Sequence, residues 1–247
     1  MFAETFAENV RRDEGDGVDL PAPPWQRTAR RTGKPQLSQE LVVRTALDIL
    51  AAEGIDAVSM RRVATALGTG PASLYAHVSN KTELHDLMFD QVLAGVPLPE
   101  PDPERWDTQV KELLGGQLEV MLAHPGIARV AWETMVPVGA HALGHFETLM
   151  KLLRAGGLSH RRAVFAADAL ALYTKAFAYE GSVWSSGEVD LEETRRRSEQ
   201  TWQYMSALPP DAFPNMLAAG DLLNGETAAE RFTFGLDMML RGLTRDE

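Results

Sequence analysis

Residues 59–81, SMRRVATALGTGPASLYAHVSNK, leave a chain few ways to fold. Ser59 is placed to cap a short helix whose apolar side is Val63, Ala64 and Leu67, and Gly68 breaks that helix. Pro71 suits the first turn of a second helix, where its missing N–H costs nothing, and Leu74, Tyr75 and Val78 follow at helical spacing. Asn80 and Glu83 then make a capping-box-like pair for a further helix. Two short helices crossed by a tight turn form a helix-turn-helix, a geometry that can lay its second helix in a DNA major groove.

A helix is predicted before this unit, from about Ser38 to Glu53, with Val42, Thr45, Ala46, Ile49 and Leu50 in one stripe and Gly54 at its end. A fourth helix follows from Lys81 to about Ala94, carrying Leu84, Leu87, Met88, Gln91 and Val92. With this preceding helix, the pairs Val63-Ala64, Leu67-Gly68, Leu74-Tyr75, His77-Val78 and Asn80-Lys81 resemble the DNA-binding end of the tetracycline-repressor (TetR) family of bacterial transcription regulators. The string Leu-Tyr-x-His-Val-x-Asn-Lys is the most specific part of that resemblance.

The resemblance implies that the third helix enters the major groove, offering Pro71, Ala72, Ser73, Tyr75 and His77, and that Arg61 reaches a base edge. The Arg fork fits O6 and N7 of guanine together, Ser73 can donate to a base or phosphate, and Ala72 can touch a thymine methyl. Tyr75, His77 and Lys81 suit phosphate, and Thr69 and Gly70 belong to the same surface. Relatives carry a polar residue where this chain has Pro71, so each head has few base readers. Two heads on half-sites about one helical turn apart, roughly 34 Å, would restore discrimination.

The net charge of −11 looks wrong for a partner of DNA. Placement resolves this, because affinity comes from local phosphate neutralisation. Arg27, Arg30, Arg31 and Lys34 sit together without an acidic neighbour directly before the first helix, and read as a basic arm. The rest of residues 1–36 mixes charges with Pro21, Pro23, Pro24 and Pro35 and reads as a flexible extension. There is no cysteine, which removes disulfides, thiolate zinc sites and cysteine nucleophiles. No secretory signal and no membrane-length apolar run appear, so a cytoplasmic chain without membrane contact is expected. Nor is there a G-x-S-x-G, a phosphate loop or a paired catalytic motif, and an enzyme is not expected.

The Pro-rich segment PLPEPDP at 97–103 divides the chain. The expected units are the extension 1–36, the head 37–96 and a body 97–247. The whole is all-α, with a three-helix helix-turn-helix domain ahead of a helical ligand-binding and dimerisation domain. Body helices are predicted near 104–123, 126–136, 139–156, 159–186, 190–207 and 226–243, with a short turn near 210–219. Ala123-His124-Pro125, the turn from Leu153 to Gly157-Leu158 and the tail from Glu230 to Leu236 extend the family resemblance through the body.

Segment 159–186 is apolar nearly all round, with Phe165, Ala169 and Leu172 on one side. The last helix has one stripe of Phe232, Leu236, Met239, Leu240 and Leu243, and Phe234 and Met238 on another side. The resemblance makes these two helices and their mates a four-helix homodimer interface, suited to a palindromic operator. It also places an effector pocket among residues 104–180. Candidate lining residues are His124, Trp132, Met135, Phe146, Met150, Tyr173 and Phe177. Tetracycline repressors place a second histidine near the end of helix four, where this chain has Val96 and Pro97. A tetracycline–magnesium ligand is therefore not expected. His141 and His145 are an i, i+4 pair with no supporting metal motif, and neither metal nor cofactor is expected.

The expected function is a dimeric transcriptional repressor that leaves its operator when a small apolar or amphipathic effector binds. The same fold could also serve an activator, a regulator answering a protein partner, or a helical small-molecule binder or enzyme.

Overall fold

The computed structural model describes residues 37–134, 138–185, 191–218 and 228–243. The extension at 1–36, its basic arm and Met135 lie outside the described residues. Every regular element among the described residues is helical. No described helix is long and apolar enough to cross a membrane.

The head consists of α1 (Gln39–Glu53), a 3-10 turn (Ile55–Ala57), α2 (Met60–Ala66), α3 (Pro71–Leu74) and α4 (Lys81–Leu93). Its starts are set by side chains. Ser38 Oγ accepts the Leu41 N–H at 3.1 Å, Ser59 Oγ the Arg62 N–H at 3.1 Å, and Asn80 Oδ1 the Glu83 N–H at 2.9 Å. Glu83 returns the bond one residue earlier than the capping-box pattern, accepting the Ser79 N–H at 2.6 Å. α2 closes through Gly68 at φ 62°, with the Thr69 N–H donating to the Ala64 carbonyl at 2.9 Å. A left-handed residue there lets the chain turn at once into α3.

The body comprises α5 (Trp106–Ala123), α6 (Ile127–Glu133), α7 (Ala140–Ala155), α8 (His160–Ser185), α9 (Leu191–Ser206), α10 (Pro214–Ala218) and α11 (Ala228–Leu243). The long α8 is the axis against which α5, α6 and α7 pack, and α11 lies along α8 and α5. This explains the apolar circumference of α8: Ala163, Ala167, Leu170 and Ala178 are buried among neighbours. The Pro-rich segment is pinned, since Gln109 Nε2 donates to the Glu100 carbonyl at 2.7 Å and Gln109 Oε1 accepts the Asp102 N–H at 2.8 Å.

α4 differs from its sequence reading. It is buried through Glu83, Leu84, His85, Met88, Phe89, Val92 and Leu93, while Gln91 is exposed. It packs against α1 on the head side and against α5, α6 and α7 on the body side, so a single apolar stripe cannot describe it. One buried core runs from Val42 in α1 to Leu240 in α11.

Candidate DNA-binding head and sensor body

Val63, Ala64, Leu74 and Val78 anchor the helix-turn-helix to the core. The anchoring decides what remains outside. Because Leu74 points inward, Ala72, Ser73 and Tyr75 around it are exposed, as are Arg61, Gly70, Pro71 and Lys81. Thr69 and His77 are half-buried. The backbone of His77 is braced from α1, where Gln39 Nε2 donates to its carbonyl at 3.2 Å. The regular part of α3 is one turn long. It then tightens, with the His77 and Val78 N–H groups both donating to the Leu74 carbonyl at 2.8 and 2.9 Å. Arg62 is engaged within the head. Its Nε and Nη2 grip Glu53 at 3.1 and 2.5 Å, and the paired guanidinium holds the Glu53 carboxyl below its ordinary range.

The head meets the body along the second half of α4, through side-chain bonds that the sequence did not reveal. Thr134 Oγ1 donates to Asp86 Oδ1 at 2.9 Å. Asp90 receives the Ala142 N–H on Oδ1 and His141 Nδ1 on Oδ2, each at 2.9 Å. His145, buried in α7, reaches the Leu93 carbonyl through Nε2 at 3.0 Å and Gln117 Nε2 through Nδ1 at 3.1 Å. Burial lowers the His145 pKa, which keeps the ring neutral: Nε2–H donates to Leu93 and Nδ1 accepts from Gln117. A second bridge links Arg129 of α6 to Asp56 of the head at 3.3 Å. Asp86 and Asp90 at i, i+4 were the available sequence signal, but their partners lie 48 to 52 residues away.

The described candidates for the effector site fall into groups. Tyr173 stacks on Phe232 with ring centroids 5.5 Å apart, and Phe177 meets both rings at 5.9 and 5.1 Å. The Tyr173 hydroxyl donates to the carbonyls of Arg231 and Phe232 at 3.1 and 3.3 Å, and burial raises its pKa. This pair lines a shallow depression of about 230 Å³ with Ala176, Glu180 and Arg231. Trp132 stacks on Tyr179 at 6.3 Å. Phe146 and Met150 pack half-buried on the core from α7. His124, at the end of α5, turns Nδ1 to the Val120 carbonyl at 2.8 Å.

The far side of α8 and α11 is open in the single chain. Phe165, Leu172, Phe234 and Met238 are 61, 53, 70 and 60 % exposed, and Ala169 lies with them. The opposite stripe of α11, with Phe232, Leu236 and Leu240, is buried.

Two family models account for this arrangement. Residues 42–87 match the one described as bacterial regulatory proteins, tetR family. Residues 98–246 match the tetracyclin repressor-like C-terminal domain. The chain belongs to the TetR family of transcriptional regulators.

Among curated TetR-like relatives, the HTH-type transcriptional repressor DrrR1 of Streptomyces coeruleorubidus is 29 % identical over 88 % of this chain and 81 % of its own. The class D tetracycline repressor protein of Escherichia coli is 26 % identical over 84 and 89 %. Among solved structures, apo ActR of Streptomyces coelicolor superposes with a TM-score of 0.76 at 40 % identity, covering 85 % of this chain and 96 % of its own. ActR bound to actinorhodin gives 0.76 at 41 % identity over the same shares.

Proposed function

We infer that this TetR-family regulator is a dimeric repressor that grips a palindromic operator and is released by a small amphipathic effector. The observation that carries this reading is the placement of α4, which supplies one wall of the head core and is hydrogen-bonded in the body to Thr134, just after α6, and to α7. An effector that favours a body with α4 displaced would misalign the two heads, weakening operator affinity by its differential affinity for the two shapes.

Arg61, Thr69, Gly70, Ala72, Ser73, Tyr75, His77 and Lys81 form the proposed DNA surface. The exposed apolar side of α8 and α11 is the proposed contact with a second copy, because an uncovered patch of this kind is costly in water. Small-molecule control is supported by ActR, 41 % identical, whose structures include complexes with actinorhodin and (S)-DNPA. Repression is supported by DrrR1. Regulation, without a reaction of its own, is the activity assigned.

Selection of bound duplexes from a random pool tests the reading directly. A two-fold symmetric site is expected, with retention reduced by an effector in a compound screen. Recovery of no preferred sequence would overturn it.

A further inference from the structure

Lys175 is an anomaly in the body. It is half-buried on α8, yet no carboxylate among the described residues lies within 4.0 Å of its ammonium group. Its Nζ sits instead 5.9 Å from the ring centroid of Phe89, which projects from α4 and is buried. Three other body cations have oxygen partners: Lys111 pairs with Asp237 at 3.0 Å, Arg231 with Glu180 at 3.2 Å, and Arg162 donates to the Leu243 carbonyl at 2.9 Å. A lysine that loses water with no anion in contact is a costly arrangement, and burial lowers its pKa although the more distant Asp168 carboxylate works against that shift. The face of Phe89 compensates only partly.

A second orphan lies one turn earlier on α4. His85 is 9 % exposed, and its Nε2 is buried with no hydrogen-bond partner in the structure. His85 and Phe89 stand at i, i+4 on one face of the helix. Trp132 of α6 stacks on Tyr179 of α8, and Tyr179 is one turn beyond Lys175. The elements α4, α6 and α8 thus supply aromatic faces, one ammonium with no carboxylate in contact among the described residues, and one unsatisfied imidazole nitrogen. Buried polar groups of this kind ordinarily have partners, and the missing partner here has to be an acceptor for Lys175.

We propose that the effector is a planar aromatic acid, seated at the junction of α4, α6 and α8 with its anionic group on Lys175 and its rings against Trp132, Tyr179 and Phe89. His85, as the Nε2–H tautomer, donates to the same ligand. This rests on the effector-controlled reading above and specifies its chemistry. It also gives the ligand a direct handle on α4: an anion that draws the ammonium from Phe89 and engages His85 changes two contacts of the helix that carries the head.

The test compares two probes of one shape, anthraquinone-2-carboxylate and anthraquinone-2-carboxamide, titrated calorimetrically into the full-length protein. The wild type is expected to bind the acid about tenfold or more tightly than the amide, the size of one charge-assisted hydrogen bond. Lys175→Met should lose that preference while its affinity for the amide stays as in the wild type, and Lys175→Arg should keep most of it. Equal affinities in the wild type, an undiminished preference in Lys175→Met, or no binding of either probe would overturn the proposal. Operator affinity is read separately. Acid bound through Lys175 without operator release would leave this site standing and remove the release mechanism, whereas release by neutral compounds alone would do the reverse.

Discussion

Asp90 Oδ1 accepts the backbone N–H of Ala142 at 2.9 Å, so a side chain late in α4 caps the first turn of α7. Gly139, the residue before α7, permits this approach, because a Cβ there would fall on the Asp90 carboxylate. Asp90→Ala should lower stability by about 0.5–2 kcal/mol, the usual worth of a cap. Gly139→Ala should be destabilising alone and much less so in the Asp90→Ala background, where the obstructing carboxylate is gone. Urea unfolding of the four proteins measures the coupling, and strictly additive losses would show that the two positions do not share this contact.

The head predicts two distinguishable defects on DNA. The side chain of Arg61 is exposed, and its carbonyl accepts from Thr65 Oγ1 at 2.9 Å. Arg61→Ala should therefore cost about 1–3 kcal/mol of operator affinity and relax preference at one base pair. Lys81 is exposed at the start of α4. Lys81→Ala should weaken every sequence alike and reduce the salt slope by about one phosphate contact. Both are read by titrating operator and scrambled duplexes at several salt concentrations.

How far the sequence could be read depended on whether the deciding contact was local. Ser59, Asn80 and Pro71 act on residues within a turn of themselves, and each occupies the capping or first-turn position expected of it. The two sides of α11 were also legible, because Phe234 and Phe232 separate under the helical period alone. The contacts that fasten head to body were not. Asp86, Asp90 and His145 look like ordinary helix residues until folding brings Thr134, Ala142 and Leu93 to them. The effector candidates illustrate the same limit: aromatic residues at helical spacing mark an apolar side without saying which neighbour it meets. Tyr173 and Phe177 meet Phe232, while Trp132 meets Tyr179. Lys175 carried no sequence signal, since its lack of a partner depends on what surrounds it in three dimensions.

Assembly offers a further check. Phe234 and Met238 are exposed on one side of α11, and Phe165 and Leu172 on the neighbouring side of α8. Phe234→Asp adds a charge where a second copy is proposed to sit, with little internal cost because the side chain is 70 % exposed in the single chain. Sedimentation equilibrium should show a monomer with an unchanged helical circular dichroism spectrum, and affinity for a full palindrome should fall towards that for a half-site. A dimer that survives Phe234→Asp together with Phe165→Asp would place the interface elsewhere.

The neutral ring of His145 makes a pH prediction of fixed sign. Burial is the main reason that its folded-state pKa lies below the ordinary 6.5, and His85 is lowered by burial as well. A histidine depressed by folding binds its proton more readily in the unfolded chain. Its contribution is therefore intact above about pH 6.5 and is lost as the pH falls below that value through the folded-state pKa. Protonation would put a second N–H on Nδ1, facing the Gln117 amide nitrogen that now donates to it, so Gln117 would have to turn. Asp86 works in the opposite sense, because burial raises its pKa and acid favours its folded form. His145→Gln isolates the histidine term. It should be less stable than the wild type at pH 7.5 and lose less on acidification to pH 5, its slope reduced by up to about 1.4 kcal/mol per pH unit. Thermal unfolding across that range measures both slopes, and parallel curves would mean that His145 is not held neutral between Leu93 and Gln117.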